Sequence, residues 1–232
     1  MRNYKIYLIR NGLTQGALEG RYIGHTDESL CEEGKKQLVE LSTTGYYPDV
    51  EAVFSSPLKR CLETSSIIYP DKEPIILSEL TECNFGEFEG MTADELSDNE
   101  DFAKWLRGGN DAAPPFGESN GQFSTRICNG FIKIIEGLLK TGTRECAIIT
   151  HGGIIMSLLA AFGLPEAPIT DWRTPSGCGY MLSLNASIWS RLRKVEVTDE
   201  VPFTIREESK DDWFSDGADF IWQDYEEDED ED

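Results

Sequence analysis

The chain has 232 residues, 39% hydrophobic and 28% charged, which suits one α/β domain with a sizeable core or at most two small ones. Its net charge of −22 repels nucleic acid and anionic lipid, so neither is an expected partner. Two histidines, His25 and His151, exclude a histidine-rich metal centre. The six cysteines, with no C-x-x-C pair, read as reduced, mostly buried thiols rather than a disulfide frame or a zinc site. The apolar stretch near the amino terminus is too short for a signal peptide. The longest apolar run, Ile154 to Leu164, is well short of a membrane span. The expected location is the cytoplasm.

In chain order, Tyr4–Ile9 is a β-rich run. Ser29-Leu30-Cys31-Glu32 has the pattern of a capping box opening a helix to about Leu41. Ala52–Ser55 is a second strand, followed by Ser56-Pro57 as N-cap and first helical position of a helix to about Ile68. Pro74–Leu77 resembles a third strand. Ser119-Asn120-Gly121-Gln122 opens a helix whose apolar face is Phe123, Ile127, Ile134, Ile135 and Leu138. Cys146–Thr150 is a continuous apolar strand of the kind buried on both faces. A helix from about Gly153 to Phe162 follows, stopped by Gly163 and Pro165. Gly179–Leu184 and Ile188–Val197 look like closing strands, antiparallel at an edge. Strands alternating with helices predict an α/β domain with a largely parallel sheet.

Residues 1–205 form the expected domain, and 206–232 change character. Fourteen acidic residues in that tail face only Arg206 and Lys210, a net of −12, which leaves −10 for the rest of the chain. The run Glu226–Asp232 is expected to be solvated, while Trp213, Phe214, Phe220, Trp222 and Tyr225 predict docking on this domain or on a partner.

Ligands of open α/β sheets bind beyond the carboxyl ends of the strands. The residues just past the four predicted strands carry Arg10, Arg60, a carboxylate in the segment Glu79–Glu82, and His151. Taken singly, a strand-end arginine is usually a surface group and a lone histidine is usually packed. Convergence of all four on one rim points to phosphoryl chemistry, because the planar fork of arginine matches two phosphate oxygens.

The motifs in order are Arg10-Asn11-Gly12-Leu13-Thr14, Gly20-Arg21-Tyr22-Ile23-Gly24-His25-Thr26-Asp27, Leu30-Cys31-Glu32-Glu33-Gly34 and Ser55-Ser56-Pro57-Leu58-Lys59-Arg60. Then come Leu80-Thr81-Glu82-Cys83-Asn84-Phe85-Gly86-Glu87-Phe88-Glu89-Gly90, Pro115-Phe116-Gly117-Glu118-Ser119 and Thr150-His151-Gly152-Gly153. This ordered set, spanning roughly residues 4 to 185, resembles the histidine phosphatase (phosphoglycerate mutase-like) superfamily. The resemblance implies a three-layer α/β/α sandwich, mostly parallel with an antiparallel edge. It implies phosphoryl transfer through a phosphohistidine, with no metal and no cofactor. By position, the nucleophile falls at residue 11, and Arg10, Arg60 and His151 hold the phosphoryl oxygens. Glu82 is the general acid and base, and Thr14, Arg21, Tyr22, Gly24 and Gly152 join the phosphate and substrate contacts.

Position 11 is asparagine. Its amide lone pair is delocalised and is no nucleophile for phosphorus, and losing a covalent nucleophile lowers rates by on the order of 10⁶. The chain is therefore expected to bind a small phosphorylated metabolite and to turn it over poorly. Intact Arg10, Arg60, Glu82 and His151 favour a replacement made to trap ligand over a natural pseudoenzyme. A second departure is Ala17, where many mutase-like members carry a phosphoryl-binding asparagine. The segment between Glu82 and His151 is compact, and Lys104, Arg107, Arg126, Lys133, Lys140 and Arg144 are its only basic residues. Most of these are expected on the predicted helix or its end, facing solvent. Phosphomonoester hydrolysis of the kind seen in small bacterial phosphatases, α-ribazole-phosphate phosphatases among them, is favoured over a mutase. A non-catalytic phosphoester-binding scaffold that uses the tail is the alternative.

Overall fold

Apolar residues at 4, 6, 7, 8 and 9 make the first strand greasy on both sides, and the fold is built around it. The computed structural model describes residues 3–204. The tail 206–232, with its predicted docking aromatics, lies outside the described residues.

The first half contains β1 (Asn3–Arg10), α1 (Gln15–Leu18), α2 (Glu32–Thr44), β2 (Gly45–Tyr46), β3 (Ala52–Ser55), α3 (Lys59–Ile68) and β4 (Ile75–Ile76). Two short helices, α4 (Ala93–Leu96) and α5 (Glu100–Leu106), precede the long α6 (Asn120–Thr141). Then follow β5 (Glu145–Thr150), α7 (Gly152–Phe162), β6 (Gly163–Leu164), β7 (Gly179–Asn185), α8 (Ala186–Leu192), β8 (Val195–Val201) and β9 (Phe203–Thr204). Seven strands form one sheet in the order β4-β3-β5-β1-β7-β8-β6. The β4, β3, β5 and β1 strands run parallel, whereas β7 is antiparallel to both β1 and β8. This is the mostly parallel sheet with an antiparallel portion that the sequence predicts.

Alternation along the strands splits the core into two faces. Ile6 and Leu8 of β1, with Cys146 and Ile148 of β5, pack in the larger cluster with Phe131, Ile135 and Leu138 of α6, Ile155 and Leu159 of α7, and Trp189 of α8. Tyr7 and Ile9, with Ala147 and Ile149, face the smaller cluster that includes Val53 and Cys61. A sheet covered on both sides explains why its central strands read as unbroken apolar runs. The predicted face of α6 is buried throughout, and the helix opens where predicted, with Ser119 and Gln122 forming a capping box.

Three local expectations differ from the structure. The second helix is capped by Cys31, whose sulfur accepts from Gly34 N, and not by Ser29. Leu30 bridges Thr14 and donates its N–H to Glu63, which holds it extended and delays the helix. The third helix starts at Lys59 rather than at Pro57. Its early N–H groups find Asp27 Oδ1 and Glu28 O, and Ser56 Oγ accepts from Leu58 N, ahead of the first turn. The stretch Ile188–Val197 is not one strand. Asn185 caps a helix there, and Trp189 packs on Phe131 and Phe162, so tertiary burial overrides the local β preference of Ile188-Trp189.

Candidate active site

The carboxyl ends of β4, β3, β5 and β1 deliver their following residues to one rim. Arg10 ends β1 in register with Thr150, the last residue of β5, so Asn11 and His151 leave adjacent strands side by side. Asn11 N donates to Thr150 O at 2.8 Å, which locks the two exits together. Asn11 Oδ1 stands 3.0 Å from His151 Nδ1, and Asn11 Nδ2 donates to Gly12 O at 2.8 Å.

Arg60, on the first turn of α3, is buried to 3% exposure. Its Nε donates to His151 Nδ1 at 3.2 Å, Nη1 to Thr26 O at 2.8 Å and Nη2 to Gly24 O at 2.7 Å. The other nitrogen of His151 lies 2.8 Å from Ser56 Oγ. Nδ1 thus faces one donor, Arg60 Nε, and one acceptor, Asn11 Oδ1, while Nε2 faces the Ser56 hydroxyl, which can donate or accept. Burial, then the charges of Arg60, Arg126 and Arg10, hold His151 well below 6.5. A lowered value keeps its contribution to stability intact above 6.5 and loses it as pH falls through the folded value. The His151 ring resonances are accordingly expected to show no protonation step in an NMR titration across about pH 6–7. A full step there would mean that the ring is solvated.

Glu82 is buried beside these groups. Its Oε1 accepts from Cys83 N at 3.0 Å and Oε2 from Gly153 N at 3.1 Å, in the first turn of α7. A Cβ at position 153 would sit 2.9 Å from Glu82 Oε1, so glycine is what lets the carboxyl approach the helix end. Burial pushes the Glu82 carboxyl above the usual range, against the opposing pull of those N–H groups and of Arg60 and Arg126. A buried carboxyl raised in this way is suited to carrying a proton.

These side chains line a cavity of about 330 Å³. Arg10, Asn11, Thr14, Arg21, Arg60, Glu82, His151 and Gly152, all named from sequence, border it. Arg10 is steered by donating Nη1 to Thr174 O at 2.6 Å. Thr14 Oγ1 accepts from Ala17 N at 3.3 Å, which leaves its hydroxyl hydrogen for a ligand. Arg21 is engaged by Glu19, Glu95 and the Gly90 carbonyl. Two named residues stand behind the wall. The Tyr22 ring is buried among Phe85, Phe102 and Trp105, and burial pushes its hydroxyl up to about 12. Gly24 supplies the carbonyl that holds Arg60, and a Cβ there would meet Cys83 O at 1.8 Å.

The sequence profile of the Histidine phosphatase superfamily (branch 1) matches residues 6–195. The chain belongs to this superfamily. A curated histidine phosphatase relative, the adenosylcobalamin/alpha-ribazole phosphatase of Escherichia coli (strain K12), is 27% identical over 186 residues, covering 78% of this chain and 90% of the relative. The crystal structure of the alpha-ribazole phosphatase from Shigella flexneri superposes with TM-score 0.74 at 23% identity, over 88% of this chain and all of that one, which shows the shared fold. A phosphoglycerate mutase from Thermus thermophilus matches with TM-score 0.61 at 28% identity, over 84% of this chain and 97% of that one.

The candidate site includes residues that reading along the chain missed. Arg173, Thr174 and Ser176 line the cavity from the loop before β7. Because β7 is antiparallel, with Gly179 opposite Ile9, the residues preceding it reach the rim that residues following the parallel strands reach. Only the expected antiparallel edge carried that signal. Ser56, expected as a cap, pairs with His151. Arg126, expected on a solvent-facing helix, turns inward to Glu118 and the carbonyls of 79, 81 and 82. Among the described residues no His, Cys, Asp or Glu group is arranged to hold a metal ion, and no helix is long and apolar enough to cross a membrane.

Proposed function

We propose that this chain is built for phosphomonoester hydrolysis and that its present sequence stops before the covalent step. The observation that carries this is the meeting of Arg10, Arg60, His151 and Glu82 around Asn11 in one cavity. Arg10, Arg60 and the first turn of α7 supply positive potential for a phosphoryl group. Glu82 holds the proton for the leaving oxygen, and a histidine at position 11 would supply the nucleophile. With Asn11 that step is missing, so the chain is a phosphoester binder. The arginines supply the charge that a metal supplies elsewhere.

Besides the charged groups, the cavity is lined by the apolar side chains of Ile23, Phe85, Trp105, Phe123, Met156 and Ile169. We infer a leaving group with a ring or other apolar body, consistent with relatives named as alpha-ribazole phosphatases. Hydrolysis is favoured over a mutase because Arg173 is the one cavity arginine beyond the phosphoryl cluster that is not engaged by carboxylates among the described residues.

The expected result is that the chain binds a phenyl phosphate in calorimetry at least about tenfold more tightly than glycerol phosphate, a difference of about 1.4 kcal/mol. No phosphate should be released from either. Release of phosphate at a rate typical of enzymes would contradict the assignment of Asn11, and equal affinities would contradict the apolar wall.

A further inference from the structure

The segment Glu79–Glu82 leaves a 3-10 turn and has no ladder partner, so its buried carbonyls need donors from elsewhere. All four find side chains. Arg126 Nη1 donates to Glu79 O at 3.0 Å and to Thr81 O at 2.6 Å, and Arg126 Nη2 donates to Glu82 O at 3.2 Å. Thr150 Oγ1 donates to Leu80 O at 3.1 Å. The remaining edge of the Arg126 guanidinium grips Glu118 in a forked pair, Nε to Oε1 at 2.9 Å and Nη2 to Oε2 at 2.6 Å. All five N–H groups of this arginine are thus engaged. The pair is mostly shielded, at 23% and 14% side-chain exposure, and the guanidinium lies 5.4 Å from the centre of the Phe123 ring.

An exposed ion pair contributes little and holds nothing in place. A guanidinium with three donors on one irregular segment and two on a fixed carboxylate sets the path of that segment. Glu118 is itself fixed, since its N–H donates to Asn84 O at 2.9 Å. Glu82 is therefore held at both ends, its carbonyl by Arg126 and its carboxyl by the N–H groups of Cys83 and Gly153.

We propose that Arg126, braced by Glu118, is the positioning residue for the Glu82 carboxyl. This rests on Glu82 acting as the proton donor to the leaving oxygen. Arg126 touches no substrate atom in this role. It fixes the backbone from which the carboxyl projects, and its charge also draws Glu82 downward against burial. Through Phe123, the same arginine buttresses the apolar wall of the cavity.

Arg126→Met keeps the apolar stem and removes the donors and the charge. In an Asn11→His background it should lower kcat/KM, which reports the steps through leaving-group departure, about tenfold or more for phenyl phosphate, whose leaving oxygen needs a proton, but less than about threefold for 2,4-dinitrophenyl phosphate, whose leaving group does not. Equal losses on both esters, or none, would overturn the proposal. Glu118→Gln should give a smaller split in the same direction, and it serves if Arg126→Met does not fold. In the Asn11 chain, where turnover is not needed, the ¹³C titration of the Glu82 carboxyl, assigned with Glu82→Gln, should move to higher pH in Arg126→Met. An unmoved midpoint in a folded variant would equally overturn it. If Asn11→His itself shows no turnover, the hydrolase assignment fails while the titration still decides whether Arg126 governs Glu82.

Discussion

Asn11→His is expected to convert the chain into a hydrolase, raising kcat on an aryl phosphate by on the order of 10⁴-fold or more. The backbone at position 11 is fixed by Thr150 O, and the side chain borders the cavity. Asn11 Nδ2 donates to Gly12 O at 2.8 Å. An imidazole that keeps this bond with Nδ1–H turns its Nε2 lone pair away from the backbone and toward the phosphoryl space between Arg10 and Arg60. One ring nitrogen is thus oriented by the backbone and the other is free to attack, as a nucleophilic histidine requires. Glu82, raised by burial, is available to protonate the leaving oxygen. Initial rates on phenyl phosphate with and without chelator would check both the recovery and the lack of a metal requirement. A folded revertant that stays inert on a broad panel of phosphomonoesters would hand the lead to the scaffolding alternative.

Arg60→Met should cost both the ligand and the fold. The side chain is almost wholly buried, and it satisfies Gly24 O and Thr26 O as well as His151. Methionine fills much of the volume but donates nothing, so the buried Gly24 O loses its donor, Thr26 O keeps only the Glu28 N–H, and His151 Nδ1 keeps only Asn11 Oδ1 beside it. At about 1–3 kcal/mol for each unsatisfied buried group, partly relieved by entering water, a loss of about 3 kcal/mol is expected. For a domain of this size that lowers Tm by about 6–12 °C. Phenyl phosphate binding should fall at least about 100-fold, because a charge-assisted contact to the phosphoryl group disappears along with the anchoring of His151. A thermal melt and a binding isotherm on the same sample separate the two effects. An unchanged Tm with lost binding would mean that Arg60 serves the ligand alone and that the loop 23–26 is held by other contacts.

Much of the scaffold was legible from local pattern. Continuous apolar runs identified β1 and β5 because a strand covered on both faces needs apolar residues at every position. The spacing of Phe123, Ile127, Ile134, Ile135 and Leu138 identified α6 because a helix buries one face. Helix starts were less legible. Cys31 rather than Ser29 caps α2, and Lys59 rather than Pro57 begins α3, because Glu63, Asp27 and Glu28 come from elsewhere in the chain to take the N–H groups.

For the site, sequence alone determined which residues follow parallel strands, and with them Arg10, Asn11 and His151 as neighbours on one rim. It also determined the superfamily, through ordered motifs whose chemistry needs those residue types. Tertiary structure alone decided that Tyr22 and Gly24 stand behind the cavity and that Ser56 faces His151. It also decided that the loop before β7 closes the site and that Arg126 turns inward. The physical reason is common to these cases. A strand or helix is dictated by residues near one another in sequence. A hydrogen-bond partner for a buried carbonyl or ring nitrogen is whichever donor the packed layers bring within about 3 Å, at any separation along the chain.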